Sequence, residues 1–341
     1  MLRKEISFFA IGLVVGALLT ALTFIFIQRS RSTRGGDAVS NQMVLKLGHV
    51  LDQSHPVHTA MEFMGTRLGE ISGGAVELQI FPNGQLGSEP ECIEQLQRGA
   101  LAMVKTSAAA MEGFVPEMAV FGLPYLFRNS DHYWKVLNGE TGKELLTAGN
   151  GVGIHGLCYY DSGSRSFYTI REPITDPKKV KGVKLRVLPS RTAMNMVSTM
   201  GGAPTPIPYG ELYTALQQGM VDGAENNPPS LLSSRHYEVA KHYSLDEHTS
   251  IPDMVIFSQD VWNSLSPQVR RWVEQAAAES VEFQRKLWIE KTNEALTQVE
   301  EAGVTIYRPD KASFMEATMP MYKKLAGKPI GILAQRIREV K

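Results

Sequence analysis

The chain has 341 residues, of which 43% are hydrophobic and 21% charged, a composition typical of a globular protein with about two domains. Its 35 basic residues balance its 35 acidic ones, which argues against a basic surface for nucleic acid. The two cysteines, Cys92 and Cys158, are too few for a disulfide framework or a four-cysteine zinc site.

The amino-terminal residues carry an apolar run preceded by two basic side chains. The run extends from Ile6 to Ile27 and is closer to the ~20 residues of a membrane span than to a shorter secretory core. We interpret residues 1–28 as an export signal, which either stays as a membrane anchor or is cleaved. An arginine-rich linker follows at 29–42. In both cases the rest of the chain is expected to work outside the cytoplasm.

Beyond the linker, short strand-like runs alternate with amphipathic helical runs. Alternating or apolar runs predict strands at 43–50, 76–81 and 100–106, and helical spacing predicts helices at 58–72 and 90–98 between them. This β-α-β-α-β order predicts a parallel sheet with helices on its faces.

A second stretch shows the same alternation and ends in one long helix. Strands are predicted at 153–160, 166–169, 183–187 and 223–225, with helices at 191–200 and 211–218. A helix is then predicted from Pro267 to about Ala302, with Ser266 as its N-cap and Gly303 as its stop. At 1.5 Å per residue it would be about 50 Å long, enough to brace two lobes. We therefore predict an α/β protein of two lobes.

Three motifs that suggest enzyme or metal sites lack the context that such sites need. GVGIHG at 151–156 matches a dinucleotide fingerprint, but a helical segment precedes it and a strand follows, which reverses the Rossmann order. HPVH at 55–58 lacks a third metal ligand. No nucleophile motif accompanies the carboxylates of Glu211, Asp222 and Glu225. We expect no catalytic residues, no cofactor and no metal.

Two arginines on strands predicted to be adjacent are the candidate ligand-binding groups. Arg165 lies in DSGSRSFY, and Arg186 lies where the strand 183–187 ends before Pro189. Ligands of open α/β sheets bind at the carboxyl ends of strands, and the arginine fork suits a planar carboxylate. The alternative is that Arg186 is a salt-bridge partner on an edge strand. The sequence GAENN at 223–227 adds amides for reading hydroxyl groups.

Several longer stretches point to a known family. In chain order they are LKLGHV, IFPNGQLGSE, AVFGLPYLF, KGVKLRV, GGAPTPIPYGELYTALQQGMVDGAENN and LSPQVRRWVEQAA. With them the chain resembles, from Leu45 to about Asp310, the periplasmic solute-binding component of tripartite ATP-independent periplasmic (TRAP) transporters, the DctP-type family. The resemblance implies an α/β, two-lobed periplasmic substrate-binding protein fold with a long helix crossing both lobes.

The resemblance also sets expected segment boundaries. Lobe 1 is expected at 43–164, with part of the C-terminal region returning to it, and lobe 2 at 165–265. The lobe-spanning helix is expected at 266–303 and a C-terminal segment at 304–341.

The resemblance assigns candidate ligand contacts as well. The family's carboxylate-binding arginine matches Arg186, and its usual companions match Arg165 and Asn226. An aromatic residue that contacts the ligand matches Tyr209. Glu89 matches an acidic residue that accepts hydrogen bonds from sugar hydroxyls.

Other positions narrow the expected ligand. Ser107 stands where sialic-acid binders of the family have a glutamate, which argues against sialate. Lys105 and the sequences DSGSRSFY, GAENN and SSRHYEVAKHYSLDEH resemble those of the family's sugar-acid binders. The members for the hexuronates glucuronate and galacturonate are the first to compare. Lys105 either donates to the ligand or extends its ammonium group to the surface. His55, near the mouth of the first strand, is a further candidate contact.

The implied function is capture of a sugar acid by an arginine–carboxylate salt bridge and lobe closure. Delivery would be to a TRAP permease made of a small and a large membrane subunit. A C4-dicarboxylate or 2-oxo-acid ligand, with Lys105 as a second cation, is the alternative within the family. An anchored ligand sensor is the alternative outside transport.

Overall fold

A computed structural model describes residues 42–341 of the chain. The predicted export signal and all but the last residue of the predicted linker lie outside the described residues. Within the described part, no helix has both the length and the apolar character to cross a membrane. Residues Val44–Lys341 form one compact unit.

The described residues form strands and helices that alternate for most of the chain. The strands are β1 (Met43–Gly48), β2 (Val76–Phe81), β3 (Met103–Ser107), β4 (Ile154–Tyr160), β5 (Arg165–Thr169), β6 (Lys184–Val187), β7 (Ala203–Pro206), β8 (Gly223–Asn226), β9 (His242–Thr249), β10 (Asp253–Ser258) and β11 (Thr305–Tyr307). The helices are α1 (Pro56–Ile71), α2 (Glu89–Gln97), α3 (Ala108–Met111), α4 (Ser130–Asn138), α5 (Glu140–Thr147), α6 (Arg191–Thr199), α7 (Leu212–Gln217), α8 (Pro228–Ser233), α9 (Gln259–Ser264), α10 (Pro267–Glu301), α11 (Lys311–Leu325) and α12 (Pro329–Glu339).

The strands build two sheets. Five strands form one sheet in the order β2-β1-β3-β10-β4, and six form the other in the order β11-β9-β5-β8-β6-β7. Strands β1 and β3 are parallel, but β10 is antiparallel to both β3 and β4. The predicted parallel sheet is therefore a mixed sheet, because a strand from far along the chain is inserted into it.

The chain passes between the sheets through short connections. Residues 161–164 lead from β4 to β5, and residues 250–252 lead from β9 back to β10. The predicted second lobe extended to residue 265, but β10 belongs to the first sheet. The other predicted segment boundaries stay predictions.

The long helix predicted from the sequence is α10. Ser266 caps its start by accepting a hydrogen bond from the Val269 N–H, and Pro267 occupies its first turn. Gly303, just past its end, has a φ of 86°, a conformation that glycine adopts without a Cβ penalty. The helix packs against α1 beside the first sheet and against α8 beside the second.

A buried amide ties the middle of α10 to one of the connections between the sheets. Gln284 accepts a hydrogen bond from the Asp161 N–H through Oε1 and donates one to the Asp161 carbonyl through Nε2, each at 2.8 Å. The side chain of Gln284 is fully buried. It therefore pairs with the backbone of Asp161 much as a neighbouring strand would.

Each sheet contributes to its own apolar core. Beside the first sheet, α1 and α10 pack against β1, β3 and β10 through side chains that include Leu47, Met61, Val255 and Ala276. A second core joins α7 to β8 and β9. A third cluster runs from α2 and α3 through α6 to the carboxyl-terminal helices. These cores hold the ends of β3, β5, β6, β8 and β10, which carry the polar residues of the site.

Candidate ligand-binding site

Residues from both sheets line one polar cavity of about 370 Å³. Six of the seven sequence-predicted contacts are among its lining residues: His55, Glu89, Lys105, Arg165, Tyr209 and Asn226. The seventh, Arg186, lies beside it, with its guanidinium carbon 5.6 Å from the centre of the Tyr209 ring.

Arg186 is a buried cation with unused hydrogen-bond donors. It lies on β6 and is 1% exposed. Its Nε donates to the Ile207 carbonyl at 2.9 Å, but Nη1 and Nη2 have no hydrogen-bond partner among the described residues. Burial lowers the pKa of this guanidinium from its ordinary value. An unpaired buried cation is costly, so this arrangement favours an anion that accepts from the two terminal nitrogens.

Arg165 is also buried, but its donors are mostly occupied. Its Nε and Nη2 donate to the two carboxylate oxygens of Glu225, and Nη2 also donates to the Glu225 carbonyl at 2.7 Å. Its Nη1 donates to Asn226 Oδ1 at 2.8 Å. Because an arginine has five N–H donors, these contacts leave one Nη1 hydrogen for a ligand.

The sequence suggested that the two arginines lie on adjacent strands, but in the structure they do not. Strand β8 lies between β5 and β6, with Asn226 opposite Ser166 and Ala224 opposite Arg186. This inserted strand brings Glu225 and Asn226 to Arg165 and leaves Arg186 without a carboxylate partner. The alternative reading of Arg186 as a structural salt-bridge residue on an edge strand is therefore wrong, since β7 covers the outer side of β6.

A second charged pair, His248 and Asp246, lies next to Glu225. The His248 Nδ1 lies 2.8 Å from Asp246 Oδ2, and its Nε2 lies 3.6 Å from Glu225 Oε2. Burial acts to lower the pKa of His248, but the Asp246 and Glu225 carboxylates outweigh it and raise that pKa to about 9. Burial acts to raise the pKa of Glu225, but the charge of Arg165 lowers it to about 2. Arg165, Glu225, His248 and Asp246 therefore form a row of alternating charges.

Lys105 forms an ion pair inside the cavity. Its Nζ lies 2.9 Å from Asp253 Oδ1, and both side chains are buried. Burial raises the pKa of Asp253 to about 6, against the opposing effect of the Lys105 charge. The ammonium group of Lys105 does not extend to the surface, which rules out that interpretation of its position.

Glu89 and Ser107 meet next to this pair. Glu89 is the first residue of α2, and its Oε1 accepts a hydrogen bond from the Ser107 N–H at 2.8 Å. Ser107 pairs with Asp253 in the register of β3 and β10. The carboxylates of Glu89 and Asp253 are thus brought to the same end of the first sheet, with acceptor capacity left for hydroxyl donors.

His55 connects the two sides of the cavity. Its Nδ1 caps α1 by accepting from the Val57 N–H, and its Nε2 lies 3.2 Å from the Ser230 Oγ of α8. Burial and then the charge of Lys105 hold the pKa of His55 well below its usual range, so the ring is neutral. With Nδ1 accepting, Nε2 carries the proton and donates to Ser230.

Tyr209 forms part of the wall on the side of the second sheet. It is half-buried and lines the cavity, its hydroxyl lies 2.7 Å from Ser234 Oγ, and its ring centre lies 5.6 Å from the guanidinium carbon of Arg186. An aromatic face in this position can pack against the apolar face of a sugar ring.

The motifs rejected at the sequence level have structural explanations. Gly153, with a φ of 81°, ends a short turn after α5, and β4 follows it. The His58 Nδ1 lies 3.0 Å from His49 Nε2, and its own Nε2 lies 3.3 Å from Glu62. No group of three potential metal ligands occurs among residues 42–341.

Sequence reasoning missed several residues of the site. Asp253 and Ser230 line the cavity together with Asn227 of the predicted GAENN sequence, while Glu225 and His248 hold Arg165 in place. Asn227 donates through Nδ2 to the Ser162 carbonyl at 3.0 Å and accepts from the Ser230 N–H. A polar residue at the start of an otherwise apolar strand, DMVIFS, was the available signal for Asp253.

A larger groove of about 1,100 Å³ is lined in part by Tyr125, Trp288 and Met315. It holds none of the predicted contacts. Its Lys311 is paired with Glu247. The smaller cavity is therefore the better candidate for an acidic ligand.

Comparison with known proteins gives consistent matches. The model of the family "Bacterial extracellular solute-binding protein, family 7" (DctP) matches residues 47–328. A TRAP periplasmic solute-binding protein from Bradyrhizobium sp. BTAi1, in complex with α/β-D-galacturonate, is 42% identical with a TM-score of 0.84, covering 86% of this chain and 99% of that one. One from Roseobacter denitrificans, with bound β-D-glucuronate, is 36% identical with a TM-score of 0.84 and coverage of 87% and 100%. The C4-dicarboxylate-binding periplasmic protein DctP of Rhodobacter capsulatus is 31% identical, with coverage of 85% and 88%.

Proposed function

Because the chain belongs to the DctP family of TRAP solute-binding proteins, we propose that it captures a hexuronate such as D-glucuronate or D-galacturonate in the cavity between its two sheets. The similar proteins from Bradyrhizobium and Roseobacter hold galacturonate and glucuronate. Both ligands are six-carbon sugar monoacids, which combine one carboxylate with several hydroxyl groups.

The observation that carries the proposal is the free terminal pair of nitrogens on Arg186. A carboxylate can accept from Nη1 and Nη2 together, in the bidentate geometry that arginine favours. Each charge-assisted hydrogen bond contributes ~1.5–3 kcal/mol net. A micromolar complex needs only about 8 kcal/mol, so this contact and a few hydroxyl contacts suffice after the cost of ordering the ligand.

The remaining lining residues fit the hydroxyl groups of the sugar. Arg165 has one Nη1 hydrogen left, and the amide of Asn226 is held in place by that guanidinium. Glu89 accepts one hydrogen bond from Ser107 and retains further acceptor capacity. Because these groups come from both sheets, a ligand touching all of them favours the closed arrangement of the lobes.

Capture would serve transport rather than chemistry. The protein would deliver the uronate unchanged to a permease of one small and one large membrane subunit. An amino-terminal export signal would place it in the periplasm, and residues 6–27, if retained, would anchor it to the inner membrane. Neighbouring genes for the two permease subunits would support this role over that of an anchored sensor.

Isothermal titration calorimetry tests the proposal. The protein would be titrated with glucuronate, galacturonate, gluconate, sialate, succinate, malate and pyruvate, and its Arg186→Met and Arg186→Lys variants with the best ligand. We expect micromolar or tighter binding of a uronate, no detectable binding to Arg186→Met, and about 10- to 100-fold weaker binding to Arg186→Lys, which keeps the charge but loses the fork.

A control separates loss of the ligand contact from general loss of an arginine. Arg285 stacks on Trp134 at 4.2 Å and lines no part of the cavity, so Arg285→Met should bind like the wild type. Unchanged affinity in Arg186→Met would contradict the assigned contact. A response to succinate or malate alone would replace the uronate with a dicarboxylate.

A further inference from the structure

The charges around the cavity are almost completely paired. Arg165 is matched by Glu225, and Lys105 is matched by Asp253. Within the part of the chain that the structure describes, two charged groups remain: Arg186, whose terminal nitrogens have no partner, and Glu89, which accepts only from a backbone N–H. One cation and one anion are therefore left for the ligand.

These two groups are supplied by different sheets. Arg186 belongs to β6 of the second sheet, whereas Glu89 opens α2 and bonds to the end of β3 in the first. Asp253 adds a second carboxylate on the Glu89 side. A ligand with its carboxylate on Arg186 therefore presents its other end to two carboxylates and one ammonium group that is already paired.

We propose that the Lys105–Asp253 ion pair determines ligand specificity, restricting the site to sugar acids with one carboxylate and excluding those with a carboxylate at both ends. The inference rests on the proposed function. By matching Lys105, Asp253 withholds the second cation that a dianion needs. A second carboxylate would instead meet Glu89 and Asp253, and unpaired like charges in a desolvated site discriminate strongly between ligands.

The same pair suits the hydroxyl end of a monoacid. The Lys105 ammonium has three N–H donors, one of which points to Asp253. The others can donate to hydroxyl oxygens, while the second oxygen of Asp253 can accept from a hydroxyl. The pair thus offers a donor and an acceptor side by side at no net charge.

Calorimetry on the Asp253→Asn variant tests the inference, with D-glucuronate and D-glucarate as the probes. Glucarate carries carboxylates at C1 and C6, whereas glucuronate carries only the one at C6. Work at pH 8 keeps Asp253 ionised in the wild type, since its pKa is about 6. The measured quantity is the ratio of the dissociation constant for glucarate to that for glucuronate, in the wild type and in the variant.

We expect the wild type to bind glucuronate at least tenfold more tightly than glucarate. Asp253→Asn should lower the ratio of the two dissociation constants at least tenfold, because Lys105 becomes available to the second carboxylate of glucarate. Asparagine can still accept from Lys105, so the geometry is retained. Asp260→Asn, which removes a charge from the exposed face of α9, should leave the ratio unchanged. If Asp253→Asn does not fold, Lys105→Gln provides the opposite test, because it should raise the ratio.

The outcomes separate the two claims. A wild type that binds glucarate as tightly as glucuronate, or an Asp253→Asn ratio equal to the wild-type ratio, overturns the specificity role and leaves the proposed function intact. A wild type that binds no uronate overturns the proposed function and the inference together.

Discussion

Arg165 and Arg186 are two buried arginines in one sheet, on the strands that flank β8, with opposite surroundings. Arg165 is held by Glu225 and Asn226 and is backed by His248 and Asp246. Among residues 42–341, Arg186 donates to one carbonyl and leaves two nitrogens without a partner. The contrast shows that a buried charge whose donors are mostly paired serves mainly the fold, whereas one whose donors are mostly unpaired indicates a ligand.

Removing each arginine in turn should separate these roles most clearly. Arg165→Met leaves the carboxylates of Glu225 and Asp246 buried with only the cation of His248 between them, so we expect the free energy of unfolding to fall by ~3–5 kcal/mol. Arg186→Met removes a charge that has no partner in the ligand-free protein, so stability should be unchanged or increased. Urea denaturation without ligand measures both. Equal losses in the two variants would contradict the distinction.

The charged row behind Arg165 should make stability depend on pH. The pKa of His248 is raised to about 9 from 6.5, so its contribution is fully present below about pH 6.5 and is lost as pH rises through 9. We expect the free energy of unfolding to fall by ~2 kcal/mol between pH 6.5 and 9.5 on this account. His248→Gln should be less stable at pH 6.5 and should show little of this fall.

Denaturation curves at several pH values, for the wild type and His248→Gln, provide the measurement. Burial, and then the charge of Arg186, lower the pKa of the nearby His236 to about 3, below this pH range, so Arg186→Met should follow the wild-type profile. Parallel profiles for the wild type and His248→Gln would show that the histidine does not hold its proton in the folded state.

The smallest expected effect concerns the contact between His55 and Ser230. Ser230→Ala removes one neutral hydrogen bond across the cavity, worth ~0.5–1.5 kcal/mol, so ligand affinity should fall by up to about tenfold. Ser233 lies on the same helix, and its buried hydroxyl has no partner among the described residues, so Ser233→Ala serves as the control. Calorimetry with a uronate compares the affinities of the two variants. Equal affinities would show that the hydrogen bond between His55 and Ser230 does not contribute to ligand binding.

Much of the fold could be predicted from local pattern. Helix α10 was predicted within a residue or two because its N-cap serine, first-turn proline and terminal glycine act locally. Strand β2 was predicted with its observed ends. The position of β10 was not, because its insertion between β3 and β4 depends on contacts with residues more than 90 positions earlier in the chain.

The candidate site was likewise predictable where the signal is local and not where it depends on strand order. Arg186 stood out because it interrupts an apolar strand, and Arg165 because it lies next to a predicted strand, but the partners of both are set by strand order. Only the insertion of β8 decides that Glu225 meets Arg165 and leaves Arg186 free. For Lys105, the sequence left burial and exposure open, since its ion pair requires a strand that begins almost 150 residues later.

The pairing of Gln284 with Asp161 has a mechanical consequence. Asp161 is the first residue of a four-residue connection between the sheets, and both of its backbone groups are bonded to the middle of α10. This end of the connection is therefore held in a fixed position against the helix. Within this connection, a rotation of one sheet relative to the other would have to be accommodated by backbone torsions at residues 162–164, while residues 250–252 would accommodate it in the second connection.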